Sequence, residues 1–289
     1  MNTQDQLYRF VFESLDIRGE IVQMDASWKA VLERYAYPAA VAEQLGQAMA
    51  AVILLSATIK YDGSLILQSQ GNGPLRTLVV QATRQRTVRG LARWEGELPE
   101  GNLAKLYGAG QMMLTVVNRS GERYQGIVGL EGENLAEALE GYFNNSEQLA
   151  TRFWLVANGE RAAGLFLQQL PSELDRQAEW QRIGMLAETI TRDELLNLPV
   201  QTLLHRLFHE EQVRLFEPEP VAFRCSCSRE RIADSLRAMG KAELLSILEE
   251  QGAIEVDCDF CNKHYRFDAI DTEQLFIEGV PIDTSDTPQ

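Results

Sequence analysis

No cysteine occurs in the first 224 residues of this 289-residue chain, and none follows Cys261. That absence excludes a disulfide framework spread through the fold. Positive charge is also scarce: 27 Lys and Arg stand against 42 Asp and Glu, a formal net charge of −15. Nucleic acids and anionic membrane surfaces demand a basic footprint. No local one hides in the total, because residues 221–270 carry seven basic side chains against nine acidic ones. Long apolar runs are missing too. Residues 48–55 form the most apolar run, eight residues, far short of the roughly 20 that a membrane-spanning helix needs. The opening Met-Asn-Thr-Gln-Asp-Gln has neither the basic nor the apolar region of a secretory leader. The expectation is a cytoplasmic protein with no nucleic-acid and no membrane partner.

Enzyme signatures are equally absent. There is no G-x-S-x-G, no P-loop and no kinase motif. Gly71-Asn72-Gly73 starts like a dinucleotide fingerprint, but Arg76 stands where the third glycine belongs and Pro74 removes a cradling N–H. It reads as a turn. The chain is expected not to be an enzyme.

What is present suits an α+β protein of roughly two domains. A long helix is expected from Pro38 to near Asp62-Gly63, apolar on most faces in its second half. Strand patterns follow at 64–70, 75–83, 87–94, 111–118 and 123–130, then a helix at 134–143 and strands at 151–158 and 162–170. This N-terminal core spans 1–171. From 172 to 220 glycine is nearly absent, strand patterns stop, and ten acidic residues face five basic ones. Thr191-x-x-Glu194 suggests a capping box. Pro199 opens a helix on which Leu203, Leu204, Leu207 and Phe208 form an apolar stripe. The segment reads as a helical linker with an adhesive face. The remainder, 221–289, holds the cysteines, two short helices broken at Gly240, and a strand-like stretch at 253–256.

Cys225 and Cys227 form a C-x-C pair, and Cys258 and Cys261 a C-x-x-C pair. In C-x-x-C a tight turn brings both sulfurs to one ion and aims backbone N–H groups at them. In C-x-C, residues two apart in an extended stretch point the same way. As thiolates the four complete a closed tetrahedral site for one zinc ion, with no open position for catalysis. Oxidised, each pair is close enough to form a local disulfide. A domain of about 60 residues is marginal alone; structural zinc, worth roughly 10–16 kcal/mol in small fingers, would hold it together. His205 and His209, four apart on a helix, lack the glutamate of a metalloprotease helix and fit a solvated face better. His264, three after Cys261, is expected outside the ligand set.

Further residues carry a resemblance. Asp5-Gln6-Leu7 with Arg9-Phe10, Ile17-Arg18-Gly19-Glu20, Tyr61-Asp62-Gly63, Gly121-Glu122-Arg123-Tyr124-Gln125-Gly126 and Ser146-Glu147-Gln148-Leu149 are spread over the core. Phe223-Arg224-Cys225-Ser226-Cys227-Ser228-Arg229-Glu230-Arg231 and Cys258-Asp259-Phe260-Cys261 are the most specific. Together they resemble the heat shock protein 33 family of redox-regulated holdase chaperones, over nearly the whole chain. The resemblance implies a zinc-bound, reduced, inactive state. Oxidation would form Cys225–Cys227 and Cys258–Cys261 disulfides, release zinc and unfold the C-terminal domain and the linker. Apolar surface is then exposed, homodimers form, and unfolding client proteins are held without ATP. Two other readings stay open: a constitutive zinc-binding interaction module, and a thiol-disulfide oxidoreductase using Cys258 and Cys261. A disulfide across C-x-C is the more strained of the two, so Cys258–Cys261 is expected to form first.

Overall fold

The computed structural model describes residues 5–99, 101–130 and 132–276. Residues 1–4, where the leader was sought, and residues 277–289 of the expected C-terminal segment lie outside that description. The chain divides between Arg224 and Cys225 into two compact units.

The first unit is α+β. It opens with β1 (Gln6–Phe12), β2 (Ile17–Met24), helix α1 (Ala26–Leu32) and the long helix α2 (Ala39–Thr58). An antiparallel run follows: β3 (Gly63–Gly71), β4 (Leu75–Thr83), β5 (Thr87–Trp94), the short helix α3 (Leu103–Tyr107), β6 (Gly110–Asn118) and β7 (Arg123–Val128). Helix α4 (Leu135–Tyr142) passes into a π-helical turn at Phe143–Glu147 and leads to β8 (Thr151–Ala157) and β9 (Ala162–Gln169). Three helices come next, α5 (Gln177–Ala187), α6 (Arg192–Asn197) and α7 (Val200–Phe208). Three short strands end the unit: β10 (Val213–Leu215), β11 (Glu219–Pro220) and β12 (Ala222–Phe223). The first sheet runs β10-β1-β2-β9-β8, with β11 also on β1; the second runs β12-β5-β4-β3-β6-β7.

Helix α2 packs on both sheets, and its second half is buried on nearly every side. It is long and apolar enough to cross a bilayer, more than the run at 48–55 suggests, yet 72% of it is buried within the protein. It is a core helix. It also stops earlier than expected, at Thr58, because Ile59 turns to extended backbone (φ −88°, ψ 134°). Gly63 then opens β3 at φ 155°, where an added Cβ would lie 2.0 Å from the Val117 carbonyl oxygen. The turn at Gly71-Asn72-Gly73 is fixed by the Gly73 N–H donating to the Tyr107 carbonyl at 2.8 Å and the Ala109 N–H donating to Asn72 Oδ1 at 2.8 Å. It is a structural turn.

The first sheet is buried on both faces. Leu7, Val22, Met24 and Phe166 face the α2 core, whereas Phe10, Phe12, Ile17, Ile21, Leu165 and Leu167 face the other way. This is why β1 and β2 carry no alternation of apolar and polar residues and escape a pattern reading. Even Gly19 belongs to this packing, since an added Cβ would sit 2.1 Å from the Phe10 ring.

Helices α5 to α7 cover that second face. Leu203, Leu204, Leu207 and Phe208 are all buried and cluster with Phe10, Phe12, Leu165 and Leu167. The Phe208 ring lies 5.0 Å edge-on from Phe12 and 6.4 Å from Phe10. Burying each such side chain is worth about 1.5–3 kcal/mol. Thr191 and Glu194 form both bonds of a capping box at the start of α6. At its end, Gln23 Nε2 donates to the carbonyls of Leu195 (2.9 Å) and Leu198 (3.0 Å), and Arg161 donates to that of Leu196 at 3.2 Å. These bonds satisfy carbonyls that a helix end otherwise leaves open.

The exit strand is clamped as well. The Glu219 carboxylate sits between Arg9 (2.9 Å) and Arg86 (3.0 Å). The Val221 N–H donates to the Asp5 carbonyl at 2.9 Å, and the Arg224 N–H to the Val88 carbonyl at 3.1 Å. Chain continuity then leads straight to Cys225.

The second unit is small. It comprises α8 (Arg229–Met239), α9 (Lys241–Gln251), the hairpin of β13 (Ile254–Asp257) and β14 (His264–Phe267), and α10 (Ala269–Leu275). Gly240, at φ 96°, separates the two helices as the sequence suggests. Its buried core is slight, built around Leu236, Leu244, Ile254, Tyr265 and Phe267.

Candidate metal centre

Cys225 and Cys227 lie in the irregular stretch before α8, whose first turn is capped by Ser228 Oγ accepting from the Arg231 N–H at 3.3 Å. Cys258 and Cys261 flank the turn of the β13–β14 hairpin. There the N–H groups of Cys261 (3.2 Å) and Asn262 (2.7 Å) donate to the Cys258 carbonyl, and the Cys258 N–H donates to the Lys263 carbonyl at 3.0 Å. Asn262 takes the left-handed conformation, φ 56°, which asparagine tolerates better than most residues. The turn aims the backbone N–H groups of Phe260 and Cys261 at the Cys258 sulfur, and that of Lys263 at the Cys261 sulfur.

All four Sγ atoms lie within 4.8 Å of one another. Cys225 and Cys258 are 3.6 Å apart, and Cys227 and Cys261 3.3 Å. Zn–S bonds of 2.3 Å in a tetrahedron put sulfurs about 3.8 Å apart, so the donor set fits such an ion. Among the described residues this is the one group of three or more potential ligands that converge.

The electrostatics agree. Burial pushes the Cys258 thiol up and the Cys261 thiol up to about 12. Burial also pushes Cys227 up, but hydrogen bonds from Tyr265 and the other three cysteines outweigh it and bring it down to about 7. Four sulfurs this close cannot all ionise unless a cation offsets their repulsion. A divalent metal would do so.

The histidines stand elsewhere. The rings of His205 and His209 are 6.0 Å apart on an exposed face of α7. The His264 imidazole is paired with Asp257, Nδ1 to Oδ1 at 2.8 Å. A residue that pattern reading passed over joins the cluster instead. The Tyr265 hydroxyl donates to Cys227 Sγ at 3.2 Å. Its only trace in the sequence is its place four residues after Cys261, in the strand that leaves the cysteine turn. Phe10, Phe12, Leu165 and Leu167, the face beneath the linker stripe, were also not singled out as a surface.

Comparison with known proteins bears on both features. Residues 5–268 match the model of the Hsp33 protein family. The 33 kDa chaperonin of Nitrosococcus oceani is 61% identical over 287 residues, covering 99% of each chain. That of Pseudomonas aeruginosa is 50% identical over 284 residues, covering 96% of each. The crystal structure of the 33 kDa chaperonin from Thermotoga maritima superposes with a TM-score of 0.82 at 25% identity, covering 93% of this chain and 97% of that one.

Proposed function

Because the chain belongs to the Hsp33 protein family and is a molecular chaperone, we propose that it is a redox-regulated, ATP-independent holdase. In the reduced state Cys225, Cys227, Cys258 and Cys261 hold one zinc ion. Bound there, the ion supplies the positive charge that lets four adjacent thiolates coexist, and it ties the C-x-C stretch to the β13–β14 hairpin. The slight core of the second unit makes its fold depend on that tie.

The switch is sulfur chemistry. A thiolate attacks peroxide, its S–O bond forming as O–O breaks, and hydroxide leaves. The neighbouring thiolate of the same pair attacks the resulting sulfenic sulfur, forming S–S and expelling a second hydroxide. Two electrons pass from the pair to the peroxide. With Cys225–Cys227 and Cys258–Cys261 formed, no ligand set remains and the second unit unfolds. The linker, 172–220, is the metastable element between the core, 1–171, and the switch domain, 221–289. Its release bares the face of Phe10, Phe12, Leu165 and Leu167. Unfolded or partly folded clients bind there, and the activated chain dimerises. The setting is the cytoplasm, where thiols start reduced.

One observation carries this reading: an apolar sheet face covered by helices α5 to α7, which three short strands separate in the chain from the cysteine cluster. A thioredoxin-type oxidoreductase is less well supported. It needs its attacking cysteine at a helix N-terminus with a lowered pKa; Cys258 sits in a hairpin turn, and burial pushes its thiol up. The test is light scattering of a thermally unfolding client. Peroxide-treated protein should suppress aggregation and reduced, zinc-loaded protein should not. Equal suppression by both forms would indicate a constitutive module, and turnover of a dithiol substrate would indicate an oxidoreductase.

A further inference from the structure

Strand β1 has two edges. The inner edge pairs with β2 over all seven residues, Gln6 to Phe12. The outer edge is covered by the tail of the linker. There β10 sets Leu215 opposite Phe10 and Val213 opposite Phe12, and β11 sets Glu219 opposite Leu7. From Leu215 to Glu219 the cover advances four residues while β1 advances three, so a one-residue bulge splits it into pieces of three and two residues. Pro218 and Pro220 have no N–H to offer a further strand. Release of this cover leaves β1 anchored on β2 with a row of open N–H and C=O groups. A charged socket lies beside the edge. Glu219 sits between Arg9 at 2.9 Å and Arg86 at 3.0 Å. The Arg86 side chain is nearly buried and donates to the Ser56 carbonyl of α2 at 2.7 Å and to its hydroxyl at 3.2 Å. Those bonds belong to the core and outlast the cover. Glu20, opposite Arg9 on β2, accepts instead from the Thr58 hydroxyl at 3.0 Å.

We propose that the outer edge of β1 holds clients as extended strands, antiparallel to β1, with apolar side chains at the places of Val213 and Leu215 and a carboxylate at the place of Glu219. The proposal rests on the reading that oxidation releases the linker, and it names the kind of client segment that is held. Segment 213–220 is then an intramolecular stand-in for that segment. Val213 and Leu215 pack with Phe10 and Phe12, so one client strand takes backbone bonds from the edge and apolar contact from the face beside it. An apolar face alone does not fix strand direction. The socket does, because its charge-assisted bonds demand a carboxylate that follows the apolar pair toward the client's C-terminus. A lysine at that place is repelled by two guanidinium groups.

The probe is a fluorescein-labelled peptide of residues 211–221, titrated with full-length protein and read by anisotropy. Peroxide-treated protein should bind it at least about tenfold more tightly than reduced, zinc-loaded protein, whose tethered cover competes at an effective concentration near millimolar. Excess peptide should restore client aggregation. Glu219→Gln in the peptide should weaken binding about tenfold, and Arg9→Gln in the protein should shrink that difference. N-methylation at Phe216, whose N–H donates to the Arg9 carbonyl at 2.9 Å, should abolish binding. The same change at Leu215, whose N–H alternates away from β1, should leave it intact. Equal effects of the two N-methyl groups overturn strand pairing, and an unchanged affinity with Glu219→Gln overturns the socket. Peptide displaced as the activated protein is concentrated into dimers puts a second copy's own segment 213–220 on the edge and overturns the client assignment. Clients held by protein that ignores the peptide overturn this proposal alone. Peroxide-treated protein that neither holds clients nor binds the peptide overturns the holdase reading, and this proposal with it.

Discussion

Phe208→Ala should turn the chaperone on without oxidant. The ring is 2% exposed and packs against Phe12 at 5.0 Å and Phe10 at 6.4 Å. Truncating a buried phenylalanine costs about 3–5 kcal/mol through lost transfer energy and the cavity left behind. If helices α5 to α7 detach while the sheets stay folded, that cost falls on the detachment equilibrium. At tenfold per 1.4 kcal/mol, the detached state becomes about 10² to 4 × 10³ times more populated. The assay is client light scattering in reductant, with metal analysis showing that the ion is still bound. Hydrogen exchange across residues 177–208 should quicken by a similar factor. Gln201→Ala, on the exposed side of α7, should change neither. If Phe208→Ala exchanges faster over 177–208 yet leaves aggregation untouched, the covered face is not the client surface. If exchange is unchanged, the linker is not held by its apolar stripe.

Three further outcomes follow from the sulfurs and one buried carboxyl. Freshly reduced protein should contain one zinc per chain, and Cys225→Ser with Cys258→Ser should contain none and lose exchange protection in the second unit; metal analysis reads the first and hydrogen exchange the second. Because the Cys258 and Cys261 thiols lie above their usual range, metal uptake displaces protons, and competition with a chelator should strip the ion more readily as pH falls. Glu20 is buried, and burial pushes its carboxyl up to about 7 despite Arg18, the Thr58 hydroxyl and Arg86. Below the unfolded value near 4.5 both states are protonated and there is no penalty. As pH rises toward 7 the unfolded chain sheds its proton first, so stability falls by about 3 kcal/mol in all. Denaturant melts at pH 5 and pH 8 should show this loss in wild type and not in Glu20→Gln; equal pH slopes in the two proteins would contradict it.

Parts of the molecule were legible in the sequence because their physics is local. Strands 75–83 and 87–94 have apolar alternation bounded by turns, and β4 and β5 fall at those residues. The capping box at Thr191 and the break at Gly240 are written in single side chains. Four cysteines in an otherwise cysteine-free chain leave few partners to choose from. The β1–β2 hairpin was hidden because burial on two faces erases the period of two. Its residues make sense only with α2 on one side and α5 to α7 on the other. Asp5 was equally silent: its carboxylate accepts from the backbone N–H groups of Asp25, Ala26 and Ser27, starting a helix some twenty residues away. The apolar stripe of 172–220 was legible as an adhesive face and is indeed buried, but the sheet face it covers was not, because Phe10, Phe12, Leu165 and Leu167 come from strands far away in the chain. Tyr265 needed coordinates, because its partner Cys227 lies 38 residues back.

Pulsed hydrogen exchange of the full chain during peroxide treatment, with client suppression read on the same samples, tests the central claim most directly. The account predicts that protection over the described part of the second unit and over residues 177–208 falls in step with the gain of activity, while β1, β2, β8 and β9 stay protected. Activity that appears while residues 177–208 remain protected would contradict it.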